Sequence, residues 1–379
     1  MMRIRRDRSS RGFGRQQAVS LAVAGVLGGA ALGGGLRGGG GAVPLDPTTG
    51  VSPLAGVVAA PSGPVWDLPN LQHERVDYWV ERFTTDKRGE FARFLGRSGR
   101  YIPMISEKLA ERGMPQDLVY LAMIESGFNP TATSPARAVG LWQFIEETGQ
   151  RYGLRVDGQV DERRDPVKAT DAALDYLTYL KNRLGSWYLA AAGYNTGENR
   201  VARIMREETG SEKGTEESYY RIWHRLPRET RDYVPLMIAA ARIAKEPAKY
   251  GFGDVEMQPP LAYDEVPVDA GTPLAAVAEA VGSEPATIRQ LNPHLKATTP
   301  AGRRTLIRIP QGTRTAFLVN WPSLREQRTL ALTPYKVRRG DSLLAIARRH
   351  GVDVDAIRAE NDLRGDRIRA GETLRIPQG

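Results

Sequence analysis

Leu118-Val119-Tyr120-Leu121-Ala122-Met123-Ile124-Glu125-Ser126-Gly127-Phe128-Asn129-Pro130 places seven consecutive apolar residues before one carboxyl group and then a turn-forming run. Such a run reads as a buried helix that gives way to a loop at Gly127. Burial disfavours the charged form of a carboxyl group, so Glu125 is expected to stay protonated near neutral pH. A protonated carboxyl at a loop edge can deliver its proton to a leaving oxygen, which is what cutting a glycosidic bond requires. The ordinary alternative is a solvated Glu at a helix end, and one residue does not decide between the two.

The flanking sequence is helical in period. Val76, Trp79, Val80 and Phe83 follow an i, i+3, i+4, i+7 stripe; Phe91, Phe94 and Leu95 repeat it, as do Ile102, Ile105 and Leu109. Gly113 reads as a helix stop, and Pro115 with Asp117 as the start of the helix that ends in Glu125. Further on, Asp165-Pro166 starts a helix through Ala173, Leu174, Leu177 and Leu180, and the stretch from Trp187 to Ala192 leads into Tyr194. Residues 66–255 are therefore expected to form one all-helical domain.

Two more elements stand at fixed distances from Glu125. Gln143, in Gly140-Leu141-Trp142-Gln143, follows by 18 residues, and Tyr194, in Ala191-Ala192-Gly193-Tyr194-Asn195, by a further 51. With the blocks Asp161-Glu162-Arg163-Arg164-Asp165-Pro166 and Leu226-Pro227-Arg228-Glu229-Thr230-Arg231-Asp232-Tyr233-Val234-Pro235, this region resembles the SLT domain of lytic transglycosylases, and within them the membrane-bound lytic murein transglycosylase D type. The resemblance implies a mainly α, lysozyme-like catalytic domain of the SLT and goose-type lysozyme kind. It also implies a chemistry in which Glu125 protonates the oxygen between N-acetylmuramic acid and N-acetylglucosamine, then acts as base on the sugar's O6 hydroxyl to give a 1,6-anhydro product. Carried over residue by residue, Ser134 and Gln143 would bond the muramic residue. Tyr194 would orient Glu125 or the sugar acetamido group, Asn195 would fix its loop, Glu229 would meet the adjoining sugar or peptide, and Ser126 would orient the catalytic loop. Gly140 would let the backbone approach the glycan.

The C-terminal region is organised differently. Tyr335-Lys336-Val337-Arg338-Arg339-Gly340-Asp341-Ser342-Leu343, followed by Ile346, Ile357, Asn361 and Leu374-Arg375-Ile376-Pro377, resembles a LysM repeat, a βααβ unit at residues 334–378. Gly271, Leu274, Gly282, Ile288 and Asn292 repeat the pattern 69 residues earlier, giving a degenerate LysM-like module at 262–311 and a linker at 312–333. In that copy Pro267 takes the place of a strand donor and Pro273 that of the turn Ser. The resemblance implies glycan binding by Gly340, Asp341, Ser342, Leu343 and Asn361 in the second copy. Tethering by separate modules raises local concentration without adding catalytic groups, so a chain ending near residue 262 is expected to keep cutting soluble strands.

Composition narrows the alternatives. Among 379 residues there is no Cys, which removes disulfides and thiol chemistry, and the four His form no zinc-peptidase pair, so neither cofactor nor metal is expected. The formal charge of +9 suits an anionic polymer or membrane surface. Nucleic acid is not the expected partner; peptidoglycan strands are, with other cell-wall enzymes as further candidates. Arg3 to Arg15 followed by Ala18 to Leu32 read as an export signal within residues 1–41, with cleavage favoured over retention as an N-terminal anchor, and 42–65 as a disordered linker. The expected location is the periplasm or cell envelope. Two other functions stay open at this level: a goose-type lysozyme-like muramidase that uses water, and a non-catalytic peptidoglycan-binding envelope protein.

Overall fold

The computed structural model describes residues 64–70, 72–330, 332–361, 363 and 365–377. The expected export signal at 1–41, and all but the last two residues of the expected linker at 42–65, lie outside these. Among the described residues no helix is long and apolar enough to cross a membrane.

Nine helices of the described chain build the first domain: α1 (Glu74–Thr84), α2 (Arg88–Glu111), α3 (Val119–Ser126), α4 (Glu146–Arg151), α5 (Pro166–Leu184), α6 (Trp187–Thr196), α7 (Glu198–Thr209), α8 (Glu216–Ile222) and α9 (Arg228–Lys245). The stripe residues Val76, Phe83, Phe91, Leu95, Ile105 and Leu109 are buried in its core, as their spacing requires. Every residue of α3 is buried, which is why its apolar run shows no amphipathic period. Gly127, in the left-handed conformation, closes α3, and its amide donates to the Met123 carbonyl oxygen at 2.8 Å. Asp165 caps α5 as the sequence suggests, accepting from the amides of Val167 and Lys168 at 2.9 and 3.1 Å. Asp117 does something else. Pro115 precedes a short 3-10 turn at Gln116–Leu118, and the Asp117 carboxylate accepts from the amides of Asp67 and Leu68 at 3.0 and 3.1 Å and pairs with Lys245.

Two βααβ units follow. In the first, β1 (Tyr263–Val268), α10 (Leu274–Ala280), α11 (Pro285–Leu291) and β2 (Thr305–Pro310) form an antiparallel pair that runs from Tyr263 opposite Pro310 to Val268 opposite Thr305. Pro267 is accommodated because a two-stranded sheet has only edges. The segment expected as a linker at 312–333 is instead mostly α12 (Arg314–Leu330). Its Phe317 is buried in the module core and stacks on Trp321, and Asn320 Nδ2 donates to the Ala280 carbonyl oxygen at 2.9 Å. Its outer side carries the exposed Leu318 and Val319 among polar residues, so the few apolar anchors that fold it back form no clear stripe.

The second unit comprises β3 (Leu332–Lys336), α13 (Leu343–His350), α14 (Val354–Glu360) and β4 (Thr373–Pro377), with Leu332 opposite Pro377 and Lys336 opposite Thr373. The repeated Asn does the same job in both copies. Asn292 Nδ2 donates to the carbonyl oxygens of Ile288 and Arg308, and its Oδ1 accepts from the Arg308 amide; Asn361 makes the same three bonds with Ile357 and Arg375. Each Asn thus ties the second helix of its unit to the closing strand.

Candidate active site

Glu125 sits at the last turn of α3 with 3% of its surface exposed. Burial pushes its carboxyl up to about 8; a hydrogen bond from the Tyr233 hydroxyl to Oε1 opposes the rise, and the nearby charge of Glu229 adds to it. At neutral pH the group is therefore protonated. Tyr233 lies on α9, one turn beyond Glu229, so both side chains lie on the same stripe of that helix. A narrow cleft opens at Glu125, lined by Gln143, Phe144, Ile145, Thr148, Tyr176 and Tyr194. Glu125 is the single carboxyl group in that lining.

The loop from Ala138 to Phe144 forms one wall of the cleft. It closes on itself through the Val139 and Phe144 backbones, whose reciprocal amide bonds are 3.0 and 3.1 Å long. The Ser126 hydroxyl donates to the Leu141 carbonyl oxygen at 2.9 Å and accepts from the Asn129 amide at 3.1 Å, which ties the end of α3 to this loop as expected for Ser126. Gln143 adopts a positive φ of 49°, rare for a residue with a side chain, and its Nε2 donates to the Gly140 carbonyl oxygen at 2.9 Å.

The remaining expected site residues fall in three groups. Gln143 and Tyr194 line the cleft with Glu125. Tyr194, however, donates to the Trp142 carbonyl oxygen at 2.8 Å, so the phenol that bonds Glu125 is Tyr233. Asn195 Oδ1 accepts from the Thr230 hydroxyl at 2.7 Å, joining α6 to the first turn of α9 and so fixing where Glu229 and Tyr233 stand. Ser134 lies outside the cleft lining, its hydroxyl accepting from the Ala138 amide at 3.1 Å at the base of the loop. Gly140 is required for another reason than glycan approach. At its φ of 87° a Cβ would lie 1.8 Å from the Arg163 carbonyl oxygen, so it is protein backbone that packs against it.

In the second βααβ unit the five expected glycan-binding residues all carry structural contacts. Leu343 is core, Ser342 caps α13 by accepting from the Ala345 amide at 3.2 Å, and Asn361 is the strand clamp described above. Asp341 accepts from the Tyr335 hydroxyl at 2.7 Å and from the Arg338 amide at 2.8 Å, and Gly340 supplies the positive φ of that turn. Tyr233 is the residue that sequence reasoning passed over. Its spacing of four from Glu229 puts the two on one helix face, but only the fold brings its hydroxyl to Glu125.

Comparison with known proteins finds family matches on each of the three folded units. Residues 103–216 match the transglycosylase SLT domain, residues 262–325 the LysM-like domain of lytic transglycosylase MltD, and residues 335–377 the LysM domain. The helical domain thus carries a match to the SLT transglycosylase family, and the two βααβ units carry matches to LysM-type families. Among individual proteins, the chain is 32% identical over 296 residues to the membrane-bound lytic murein transglycosylase D of Escherichia coli (strain K12), an alignment covering 75% of this chain and 64% of that protein. A membrane-bound lytic murein transglycosylase C from Histophilus somni (strain 2336) is 29% identical over 126 residues, 30% of this chain and 35% of that protein. The chain spans under two thirds of the length of these curated relatives. The 70 kDa soluble lytic transglycosylase of Escherichia coli superposes with a TM-score of 0.35 at 22% identity, covering 47% of this chain and 29% of that one.

Proposed function

We propose that the protein is a peptidoglycan lytic transglycosylase of the cell envelope, cleaving the β-1,4 bond between N-acetylmuramic acid and N-acetylglucosamine with formation of 1,6-anhydromuramic ends. The observation that carries this reading is a buried, protonated Glu125 standing as the one carboxyl group in its cleft lining. With Oε1 accepting from Tyr233, the acidic proton resides on Oε2 and is available to the glycosidic oxygen. As the C1–O bond breaks, the proton passes to the departing N-acetylglucosamine O4 and Glu125 becomes a carboxylate. The positive charge at C1 draws in the 2-acetamido oxygen of the same sugar. The carboxylate then removes the O6 proton as O6 attacks C1, which restores the neutral acid, and no water is consumed.

The Tyr233 hydroxyl is suited to both halves, because a donor on Oε1 favours the carboxylate that forms midway. Gln143 and Tyr194 face the same cleft and are assigned to the muramic residue; Glu229 is assigned to the adjoining sugar or its peptide. The second LysM module is assigned to holding glycan strands, with export to the envelope following the relatives' membrane-bound character.

The product tests the reading. Digestion of peptidoglycan in heavy-oxygen water, followed by mass spectrometry, should yield anhydromuramic ends without label. Labelled, borohydride-reducible muramic ends as the main product would mean a muramidase, whose water-activating base needs a second carboxyl group roughly 6.5 to 9.5 Å from the acid.

A further inference from the structure

Several contacts join the first LysM-like module and its connecting segment to the helical domain. The connecting segment from residue 256 to 261 is strapped along α2, where the amides of Gln258 and Leu261 donate to the carbonyl oxygens of Gly96 and Arg100 at 2.8 and 2.9 Å. Gly99 makes room for it, since a Cβ there would lie 2.4 Å from the Gln258 carbonyl oxygen. Second, Val160 and Leu295 form an antiparallel bridge, with the Asp161 amide donating to the His294 carbonyl oxygen at 2.9 Å, and Val160 is buried in the module's own core. Third, Arg308 from β2 reaches Asp165 at 3.0 Å, with 7% and 1% of the two side chains exposed.

The second and third of these contacts converge on the segment 160–165, and that segment holds the catalytic loop. Asp161 binds the Arg163 guanidinium at 2.8 and 2.9 Å. Arg163 Nη1 donates in turn to the carbonyl oxygens of Arg137 and Phe144 at 3.2 and 3.3 Å, and the Arg163 carbonyl oxygen packs against Gly140. Asp165 caps α5, which carries two further parts of the site: Tyr176 in the cleft lining, and Thr170, whose hydroxyl accepts from Trp142 Nε1 at 2.9 Å.

We propose that the first LysM-like module is a fixed part of the catalytic unit, with Arg308 a positioning residue that sets the loop carrying Gln143 and Phe144 through Asp165 and the 160–165 segment. A glycan tether would need a free face on this copy, whereas Arg308 and the His294–Leu295 backbone are spent on the helical domain. The equivalent of Arg308 in the second copy, Arg375, is exposed. A chain ending near residue 262 should therefore lose activity, opposite to the sequence expectation, because removing the module would strip Asp165 of its cation and the Val160 bridge of its partner.

The proposal rests on the transglycosylase reading for its rate measurement, so the test has a second arm that does not. Full-length variants are assayed on short soluble glycan strands, where capture of intact sacculi plays no part. Arg308→Met should lower kcat about tenfold to a hundredfold, the range expected for a misplacement of about 1 Å, with KM within about threefold of wild type. Arg308→Lys, which keeps the charge but loses the fork, should show an intermediate loss. Hydrogen exchange should speed up at the amides of Val139, Gly140 and Phe144 and across 160–168, with α1 and α2 unchanged. A folded Arg308→Met with kcat within about twofold of wild type, or exchange rising equally over the whole helical domain, would overturn the positioning role. Should the Met variant not fold, the Lys variant supplies both readouts. If the wild type releases no glycan fragments while the local exchange pattern holds, the transglycosylase reading fails and the hold of the module on the loop stands.

Discussion

Glu125 and Asp165 are both buried carboxyl groups, at 3% and 1% exposure, yet they carry opposite charge states at neutral pH. Glu125 has a neutral phenol for a partner and another carboxylate nearby, so desolvation wins and the group rises to about 8. At Asp165 burial also pushes upward, but the Arg308 guanidinium and the first amides of α5 outweigh it and hold the carboxyl below its ordinary value. His294, in the same seam, is driven down to about 4 by burial and is neutral near pH 7. Burial alone therefore does not keep a carboxyl group protonated; burial without a compensating cation does.

The largest effect that could break this comparison is on Glu125 itself. Glu125→Gln should lower glycan cleavage about 10² to 10⁴-fold, read as fragments released from soluble strands, while near-ultraviolet circular dichroism stays native. The same variant tests the charge state. Because the folded acid titrates near 8, above its ordinary 4.5, the wild type loses stability as pH rises through that window, from about 4.5 to about 8, and the loss levels off above it. Gln has no such slope, so the variant should gain in Tm relative to wild type from pH 5 to pH 8. A constant difference would mean that Glu125 is already ionised.

Next in size is Asp165→Asn, which keeps the α5 cap but leaves the buried Arg308 with only the half-exposed Glu265, 3.6 Å away, for an anion. Removing one partner of a buried pair costs about 3 to 5 kcal/mol, measurable as a lower denaturant midpoint at pH 7. The pH dependence should run opposite to that at Glu125. A depressed carboxyl contributes stability above its ordinary value and loses it as pH falls through its folded one, so the deficit of the variant should shrink in strong acid.

Tyr233→Phe should act more mildly, lowering kcat by about tenfold. Its signature lies in the pH–rate profile. Losing the donor that favours the carboxylate raises the Glu125 value further, so the alkaline limb should move to higher pH; movement to lower pH would contradict the assigned bond.

The smallest effect sharpens the contrast from outside the core. Arg358 and Asp366 pair at the surface of the second LysM unit, with Asp366 73% exposed, and Asp366→Ala should change stability by no more than about 1 kcal/mol in thermal unfolding. A larger loss there would show that ion pairing counts without burial.

The helical domain was legible because its stripes obey the 3.6-residue period and because the run before Glu125 is apolar on all sides, which only a fully enclosed helix tolerates. The Asn of each βααβ unit was visible as a repeat, although its work as a clamp between helix and strand was not. Tyr233 escaped notice since a Tyr in an apolar helix face reads as core, and nothing local reveals that its hydroxyl meets a carboxyl 108 residues away. The linker at 312–333 was misread because α12 buries little beyond Phe317, with Trp321 and Leu324 only partly covered.

What the sequence determined by itself is whatever depends on neighbours along the chain: the helices, the duplicated βααβ units, and the placing of one carboxyl group at the end of a buried helix. What only the tertiary structure decided is which long-range partner each charge meets. Asp165 looks like a plain helix cap until Arg308 arrives from a strand 143 residues on, and Arg375, at the matching place in the second unit, stays in solvent. Periodicity fixes which side chains turn inward, but the free energy of a buried charge is set by the group opposite it, and that group is chosen by the packing of domains.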